Sequence, residues 1–575
     1  MSAPPRDLNT HHLFTAPATR AAWEARAKEI RERILFSCGL WPLPKKTPLR
    51  PKVTSTVELA DITIENVALE TFPGFWLCGS LYRPKGAGPF PAIANMHGHW
   101  EEGRLQREAD VPKAPPVPGA RGVGKADLVN LAASLARQGF VVFAYDMLGY
   151  NDTDQFVHRK LGASLDQWLW GVSELGVQTW NSIRVLDYLQ SLPFVDKKKL
   201  GATGASGGGS QTFLLAAIDD RVQVSVPVNM VSSTMQGGCN CENAPGLRVG
   251  TDNVEVASVF APKPQLFVSC TGDWTSKVPL EEGPAAKKVY ELYGKPENLQ
   301  WVQFNYGHNY NVESREAMYA FFKKHLRGEV GERERPLELD PKQLRVKRPA
   351  GKSDSEILES LKRERTETIS VLRQKNDKKS REILRKGLAI ALAVDVPTIK
   401  GVGRAHMQVS VSTGSTGLVL PPLAQDSGAL WKDFYSCYNR TALGDRVQAV
   451  IDSLVQHRTK DDAGPTVLIG DGEAGLWVLL ARALAPDLCP GPTIVDMQGF
   501  AADDDDAYLE RAYAPGLRGI GGLYTAALLA NAKPLLLHNT HRKFRAENIS
   551  CRLEPEKLSY EETMAWLKSI GYYKS

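Results

Sequence analysis

One serine in this chain sits among glycines in a way that could change its chemistry. Gly204-Ala205-Ser206-Gly207-Gly208 reads G-x-S-x-G. A glycine costs backbone entropy on folding, so crowding several around one serine implies a turn sharper than a Cβ allows. A serine hydroxyl is a weak nucleophile; it needs a base within hydrogen-bond reach and an acid that holds the base in one tautomer. Asp273, in "TGDWT", and His308, in "YGHNY", follow in the order serine, acid, histidine. That set suits acyl transfer, with Ser206 as nucleophile, His308 as base and Asp273 as its orienting acid. The oxyanion formed on attack needs two donors. The N–H of Gly207, just after the nucleophile, is one; the N–H of His99 in "NMHGHW", where Gly98 lets the backbone come close, is the other. A phosphate-cradling loop is the competing use of such glycines, but the sequence has no G-K-[ST] and no G-x-G-x-x-G with an acidic ribose partner.

These residues must be held by elements that bring sequence-distant positions together. "ITIENVALETFPGFWLCGSLYRPKG" alternates apolar and polar residues around a Pro-Gly break and reads as antiparallel strands. After it, "PFPAIANMHG", "FVVFAYDMLG", "KKLGATG", "VQVSVPVNM", "KPQLFVSCTGD" and "LQWVQFNYGH" read as short buried strands, with "DLVNLAASLARQG", "WNSIRVLDYLQSLPFV" and "SQTFLLAAID" as helices between them. Strands alternating with helices imply an α/β fold with a mostly parallel sheet covered on both faces. Ser206 then sits on a strand-to-helix turn, and Asp273 and His308 at the C-terminal edges of later strands, where open α/β sheets form their sites.

Composition limits the alternatives. At 575 residues the chain exceeds the size at which single cores stop growing, so more than one domain is expected. With 23% charged residues and a net charge of +5, it carries no basic block of the kind that grips nucleic acid. The N-terminus has no apolar signal core and no stretch reaches the length of a membrane span, so no membrane insertion is expected. The chain reads as soluble and cytoplasmic, or as secreted or periplasmic where a signal peptide has been removed. Of eight cysteines only Cys239 and Cys241 are close in sequence. C-x-C alone supplies too few ligands for a metal, so packed or partly paired thiols are expected, with no metal and no cofactor.

"HGHW", "RVLDYLQSLPFVDKKKLGATGASGGG", "TGDWT" and "YGHNY" together resemble the acetylxylan esterase and dienelactone hydrolase-like branch of the α/β-hydrolases, over roughly Pro51 to Gly328. "IRERILFSCGLWPLP" is similar to the N-terminal arm of bacterial acetylxylan esterases, some relatives of which are pectin methylesterases. The resemblance implies a serine esterase with a carbohydrate ester substrate, acetyl or methyl. Trp100, Arg104 and Trp274 adjoin the oxyanion donor and the acid, and "MQGGCNCENAPGLR" adds Glu242 and Arg248. Tryptophan suits sugar rings and arginine suits carboxylates, so these five are the expected substrate contacts. A prolyl-oligopeptidase-like peptidase shares the triad but needs propeller repeats that the sequence lacks. A non-catalytic scaffold is the other alternative.

The C-terminal part partly repeats the first. "APGLR" occurs at Ala244–Arg248 and Ala514–Arg518, and Lys263-Pro264 recurs as Lys533-Pro534 at the same offset. "LGATGASGGG" parallels "VLIGDGEAG" at a slightly different offset, so that Gly204 meets Gly470 and Ser206 meets Gly472; on the first offset Asp273 meets Lys543, and the counterpart of His308 falls beyond the chain. The expected organisation is a helical arm over 1–50, a catalytic α/β-hydrolase domain over 51–328, a charged helical connector over 329–400, and over 401–575 a second, shorter, degenerate hydrolase-like domain without catalytic residues.

Overall fold

A computed structural model of the chain describes residues 5–107, 126–397, 407–412, 418–419, 434–458, 466–489, 491–531, 534–545 and 549–572. Its described residues divide into two units: one drawn from 1–163, 173–360 and 433–438, the other from 164–172, 361–432 and 439–575.

The first unit is built on a nine-stranded sheet in the order β1-β2-β3-β5-β4-β6-β7-β8-β9. Strands β1 (Lys52–Glu58), β2 (Ile62–Phe72) and β3 (Phe75–Pro84) form the antiparallel side. Strands β4 (Phe90–Met96), β5 (Val141–Tyr145), β6 (Val195–Ala205), β7 (Val222–Val228), β8 (Gln265–Cys270) and β9 (Leu299–Phe304) are mutually parallel. Every residue of β5 and β8 is buried, as expected of parallel strands covered on both faces. The helix Leu128–Arg137 shows how local sequence sets a boundary. Asp127 caps its N-terminus by accepting from the N–H of Asn130, and Gly139, at φ +89°, follows its end.

Two expected boundaries move. Residues 1–50 are not a separate arm: the helix Arg20–Ser37 belongs to the first unit, where Arg26 pairs with Glu255 and Arg31 donates to the carbonyls of Ala217 and Val259. Residues 329–360 also belong there, and up to Asp354 they contain only one short helical turn, Pro341–Leu344. Charges in this first part of the expected helical connector are fixed in pairs outside any helix. Glu334 receives Arg315, Tyr319 and Asn130, and Arg107 donates to the carbonyls of Leu337 and Leu339. Leu337, Leu344 and Val346 are buried beneath them. The connector's second half forms helices Asp354–Lys375 and Lys378–Leu392.

The second unit holds a six-stranded, all-parallel sheet in the order β11-β10-β12-β13-β14-β15, comprising β10 (Met407–Ser412), β11 (Leu418–Val419), β12 (Thr466–Gly470), β13 (Thr493–Asp496), β14 (Leu535–His538) and β15 (Arg552–Leu553). Among its repeat residues, Lys533 lies outside the described residues. No described helix is long and apolar enough to cross a membrane.

Candidate active site

Strand β6 ends at Ala205 and the helix Gly207–Ile218 begins two residues later, so Ser206 alone makes the turn. Its backbone sits at φ +58°, ψ −126°, a conformation that L-residues rarely adopt and that persists only where the surroundings enforce it. Val228 contributes by accepting from the Ser206 N–H at 3.0 Å. The glycines supply the rest. A Cβ at Gly204 or at Gly208 would lie 2.5 Å from the Met96 carbonyl oxygen, and one at Gly209 would lie 2.6 Å from that of Val228. The turn is thus wedged between the ends of β4 and β7, which no side chain at those positions would permit. Gly207 differs, since its nearest neighbours would be His99 Cε1 at 3.3 Å and Glu242 Oε1 at 3.5 Å. The helix has no side-chain cap, which leaves its first N–H groups for a ligand.

Asp273 and His308 follow the ends of β8 and β9, and His308 Nδ1 lies 2.9 Å from Asp273 Oδ2. The other carboxylate oxygen accepts from the N–H and hydroxyl of Thr275, so the aspartate is held from two sides. Trp274 packs on the imidazole with ring centroids 4.3 Å apart. His308 Nε2 is buried and has no hydrogen-bond partner among the described residues. With Nδ1–H given to Asp273, that nitrogen carries the free lone pair of a base.

The turn after β4 depends on His97, which the sequence reading passed over. Its Nε2 accepts from the N–H of Met147 at 2.9 Å, which leaves the proton on Nδ1, and Nδ1 lies 2.8 Å from the Gly98 carbonyl oxygen. Burial pushes this imidazole down to about 3, so it stays neutral and the tautomer is fixed. A trans peptide sets its N–H opposite its C=O. Drawing the Gly98 carbonyl toward His97 therefore turns the His99 N–H away from it. The turn also lies against the nucleophile, because a Cβ on Gly98 would be 2.6 Å from the Ala205 oxygen and 2.7 Å from Ser206 Cβ.

Ser206, Asp273 and His308 share a cavity of about 390 Å³ with His99, Trp100, Glu242, Trp274, Arg159, Met235, Gly238, Cys239, Gly272 and Leu8. Trp100, Trp274 and Glu242 therefore lie where they were expected. Arg104 and Arg248 do not. Arg104 is buried between Asp146, at 2.8 Å, and Asp152, at 2.7 Å, and donates to Ser80 and the Leu344 carbonyl. Arg248 is spent on Asn243, Asn253 and the Glu242 carbonyl. Both are internal braces, and the arginine on the cavity is Arg159.

The thiols are packed, as expected. Cys239 and Cys241 are free and buried, but they do not stand alone. His99 Nε2 lies 3.0 Å from Cys241 Sγ, and His158 Nε2 lies 3.5 Å from Cys239 Sγ. C-x-C alone supplies too few ligands for a metal, and the fold brings two imidazoles beside it from elsewhere in the sequence.

Residues 111–233 match the profile of the dienelactone hydrolase family. YtaP of Bacillus subtilis (strain 168), named as a hydrolase, is 25% identical over 319 residues, covering 52% of this chain and 99% of its own length. A 4-O-methyl-glucuronoyl methylesterase of Thermothelomyces thermophilus is 24% identical over 336 residues, covering 51% of this chain and 72% of its own. The solved structure of methylesterase BT1017 is 33% identical, with a TM-score of 0.46, over 54% of this chain and 65% of that one. The resemblance to dienelactone hydrolase-like α/β-hydrolases and carbohydrate esterases read from the motifs is borne out.

Proposed function

We propose that the first unit is a serine carboxylic-ester hydrolase that removes the methyl group from esterified uronic acid residues of a polysaccharide or oligosaccharide. One observation carries the hydrolase reading: Ser206 at a strained turn and the His308–Asp273 pair open onto the same cavity. His308 Nε2 takes the Ser206 proton as Oγ attacks the ester carbonyl carbon. The resulting oxyanion meets the N–H groups of His99 and Gly207, a pair of donors of which each is worth about 2.7–4 kcal/mol on removal. Collapse breaks the acyl–oxygen bond, His308 protonates the departing methoxide oxygen so that it leaves as methanol, and the uronoyl group stays on Ser206 Oγ. Water, deprotonated by His308, then releases the free acid and restores the serine. Asp273 stabilises the imidazolium in both halves.

The methyl ester is preferred over the acetyl ester because several curated relatives are named as 4-O-methyl-glucuronoyl methylesterases, at 24–27% identity. The cavity also suits a sugar as the acyl part, with Trp100 and Trp274 for its ring faces and Arg159 and Glu242 for its polar groups. The test is a panel of methyl glucuronate esters, methylated pectin, acetylated xylan and p-nitrophenyl esters, with methanol and acetate measured separately. Methanol release that disappears in Ser206→Ala, together with fluorophosphonate labelling, is the expected outcome. Acetate release without methanol would transfer the assignment to acetyl esters. A Ser206→Ala chain still labelled at an active-site serine would remove Ser206 from the mechanism.

A further inference from the structure

We propose that His99, His158, Cys239 and Cys241 together bind one zinc-class divalent cation, which fastens the turn carrying His99 to the loop carrying the two cysteines. The four ligand atoms, two imidazole nitrogens and two sulfurs, lie within 4.8 Å of one another. With Zn–S near 2.3 Å and Zn–N near 2.0–2.1 Å, a tetrahedron sets sulfur and nitrogen ligands about 3.5 Å apart. Two of the four sulfur–nitrogen separations are 3.0 and 3.5 Å. Two thiolates and two neutral imidazoles leave a divalent ion with no net charge, which suits a buried site, and sulfur with imidazole selects zinc over magnesium or calcium.

The surroundings of His158 support the same reading. Its Nδ1 is 2.6 Å from Glu174 Oε1 and 3.0 Å from the Leu148 carbonyl oxygen, so the Nδ1 proton is held and Nε2 is turned to the sulfurs. A carboxylate behind an imidazole is the usual outer support of a metal-bound histidine. Glu174 is itself fixed, at the start of the helix Glu174–Ser191, and its Oε2 accepts from the Arg159 N–H. Four protein ligands fill a tetrahedron and leave no position for water or substrate, so this ion would clamp rather than catalyse. The clamp would join three loops: those following β4, β5 and β7. It would hold the His99 imidazole beside Gly207, whose virtual Cβ is 3.3 Å from His99 Cε1. Only this last consequence rests on the esterase reading; metal binding does not.

The test reads metal without turnover, so a failure of ester hydrolysis leaves it intact. Full-length protein purified without chelator should carry about one zinc per chain by elemental analysis, and Cys239→Ser/Cys241→Ser should carry essentially none. Metal-stripped wild type titrated with cobalt(II) should develop thiolate-to-cobalt charge transfer and tetrahedral d–d absorption, saturating at one equivalent. This measurement keeps the proposal falsifiable even if the double variant folds poorly. Replacing His158 by alanine, with folding checked by circular dichroism, should weaken zinc binding at least tenfold, consistent with loss of one of four ligands. Wild type that takes up neither zinc nor cobalt would overturn the proposal. So would a double variant with undiminished zinc, or a Cys239–Cys241 disulfide in the native protein found by mass spectrometry.

Discussion

Replacing His97 by leucine removes a group that touches no substrate, yet it should lower kcat. The imidazole holds two backbone groups, the Met147 N–H at Nε2 and the Gly98 carbonyl at Nδ1, at 2.9 and 2.8 Å. With leucine both are left buried without a partner, at roughly 1–3 kcal/mol each. The relief open to the chain is rotation of the Gly98–His99 peptide, which swings the His99 N–H off the oxyanion. Full loss of one donor would lower kcat about 10²- to 10³-fold. A rotated peptide retains part of its field, so that range is the ceiling. KM should change little, because the donor acts on charge that develops only in the transition state. The assay is steady-state hydrolysis of a p-nitrophenyl ester and a methyl uronate ester, with fluorophosphonate labelling as a second readout, since its phosphoryl oxygen needs the same donors. His97 is neutral down to about pH 3, so the defect should be constant with pH above about 4. A variant with lower Tm but kcat within threefold of wild type would show that the peptide holds its orientation without His97, and the reasoning would fail.

Three further outcomes follow from the same structure. Arg104→Ala should lower Tm steeply, by about 3–5 kcal/mol of stability, because it takes the buried cation away from Asp146, while Asp152 keeps Arg345. Arg159→Ala should instead leave Tm unchanged and reduce kcat/KM on acidic oligosaccharide esters roughly two- to fivefold relative to neutral ones, an effect that fades in high salt; a defect equal on both substrates would free Arg159 of any role in charge recognition. Burial raises the Asp252 carboxyl to about 7, so the folded state holds a proton that the unfolded state gives up near pH 4. Its contribution to stability is therefore complete below pH 4 and is lost as pH rises toward 7, by about 1.4 kcal/mol per unit at the steepest. Denaturant titrations of wild type and Asp252→Asn across pH 4–8 should differ by that slope, and parallel profiles would refute it. In the second unit, Gly472→Ser made in a Ser206→Ala background should give neither hydrolysis nor fluorophosphonate labelling, whereas labelling at position 472 would reveal a working base there.

The order serine, acid, histidine and the strand ends that present them could be read because each depends on residues adjacent in sequence: a strand, then the residue that follows it. What could not be read depends on where a side chain points. Arg104 lies five residues after His99, yet its guanidinium turns inward to Asp146 and Asp152, whose carboxylates come from the segment after β5. Arg159, which does line the cavity, sits in a stretch without a motif. The imidazoles that complete the C-x-C pair are His99 and His158, each far from the cysteines in the chain, so counting ligand spacings could not find them. The sequence of residues 329–348 records charges and not their partners, and Glu334 has three of them.

The second unit separates what the turn around Ser206 owes to packing from what it owes to chemistry. Gly470 closes β12, the helix Ala474–Leu484 follows, and Gly472 between them has φ +61°, close to the +58° of Ser206. A Cβ on Gly475 would be 1.9 Å from the Asp496 carbonyl oxygen at the end of the neighbouring strand β13, as one on Gly209 would be 2.6 Å from that of Val228 at the end of β7. Gly470 and Gly475 are spaced like Gly204 and Gly209, but a Cβ on Gly470 would meet its own helix at Gly475 and Val478, where one on Gly204 would meet the end of β4. Asp496 is engaged by the Gln498 N–H, Asn539 and Lys557, and His538 Nδ1 already accepts from the Leu558 N–H. In both units glycines thus let a helix start within a few residues of a parallel strand, whether or not a nucleophile stands at the turn. The hydrolysis proposed for the first unit would need, beyond that turn, the Ser206 hydroxyl at its tip, the His308–Asp273 pair on the same cavity, and the open side at Gly207.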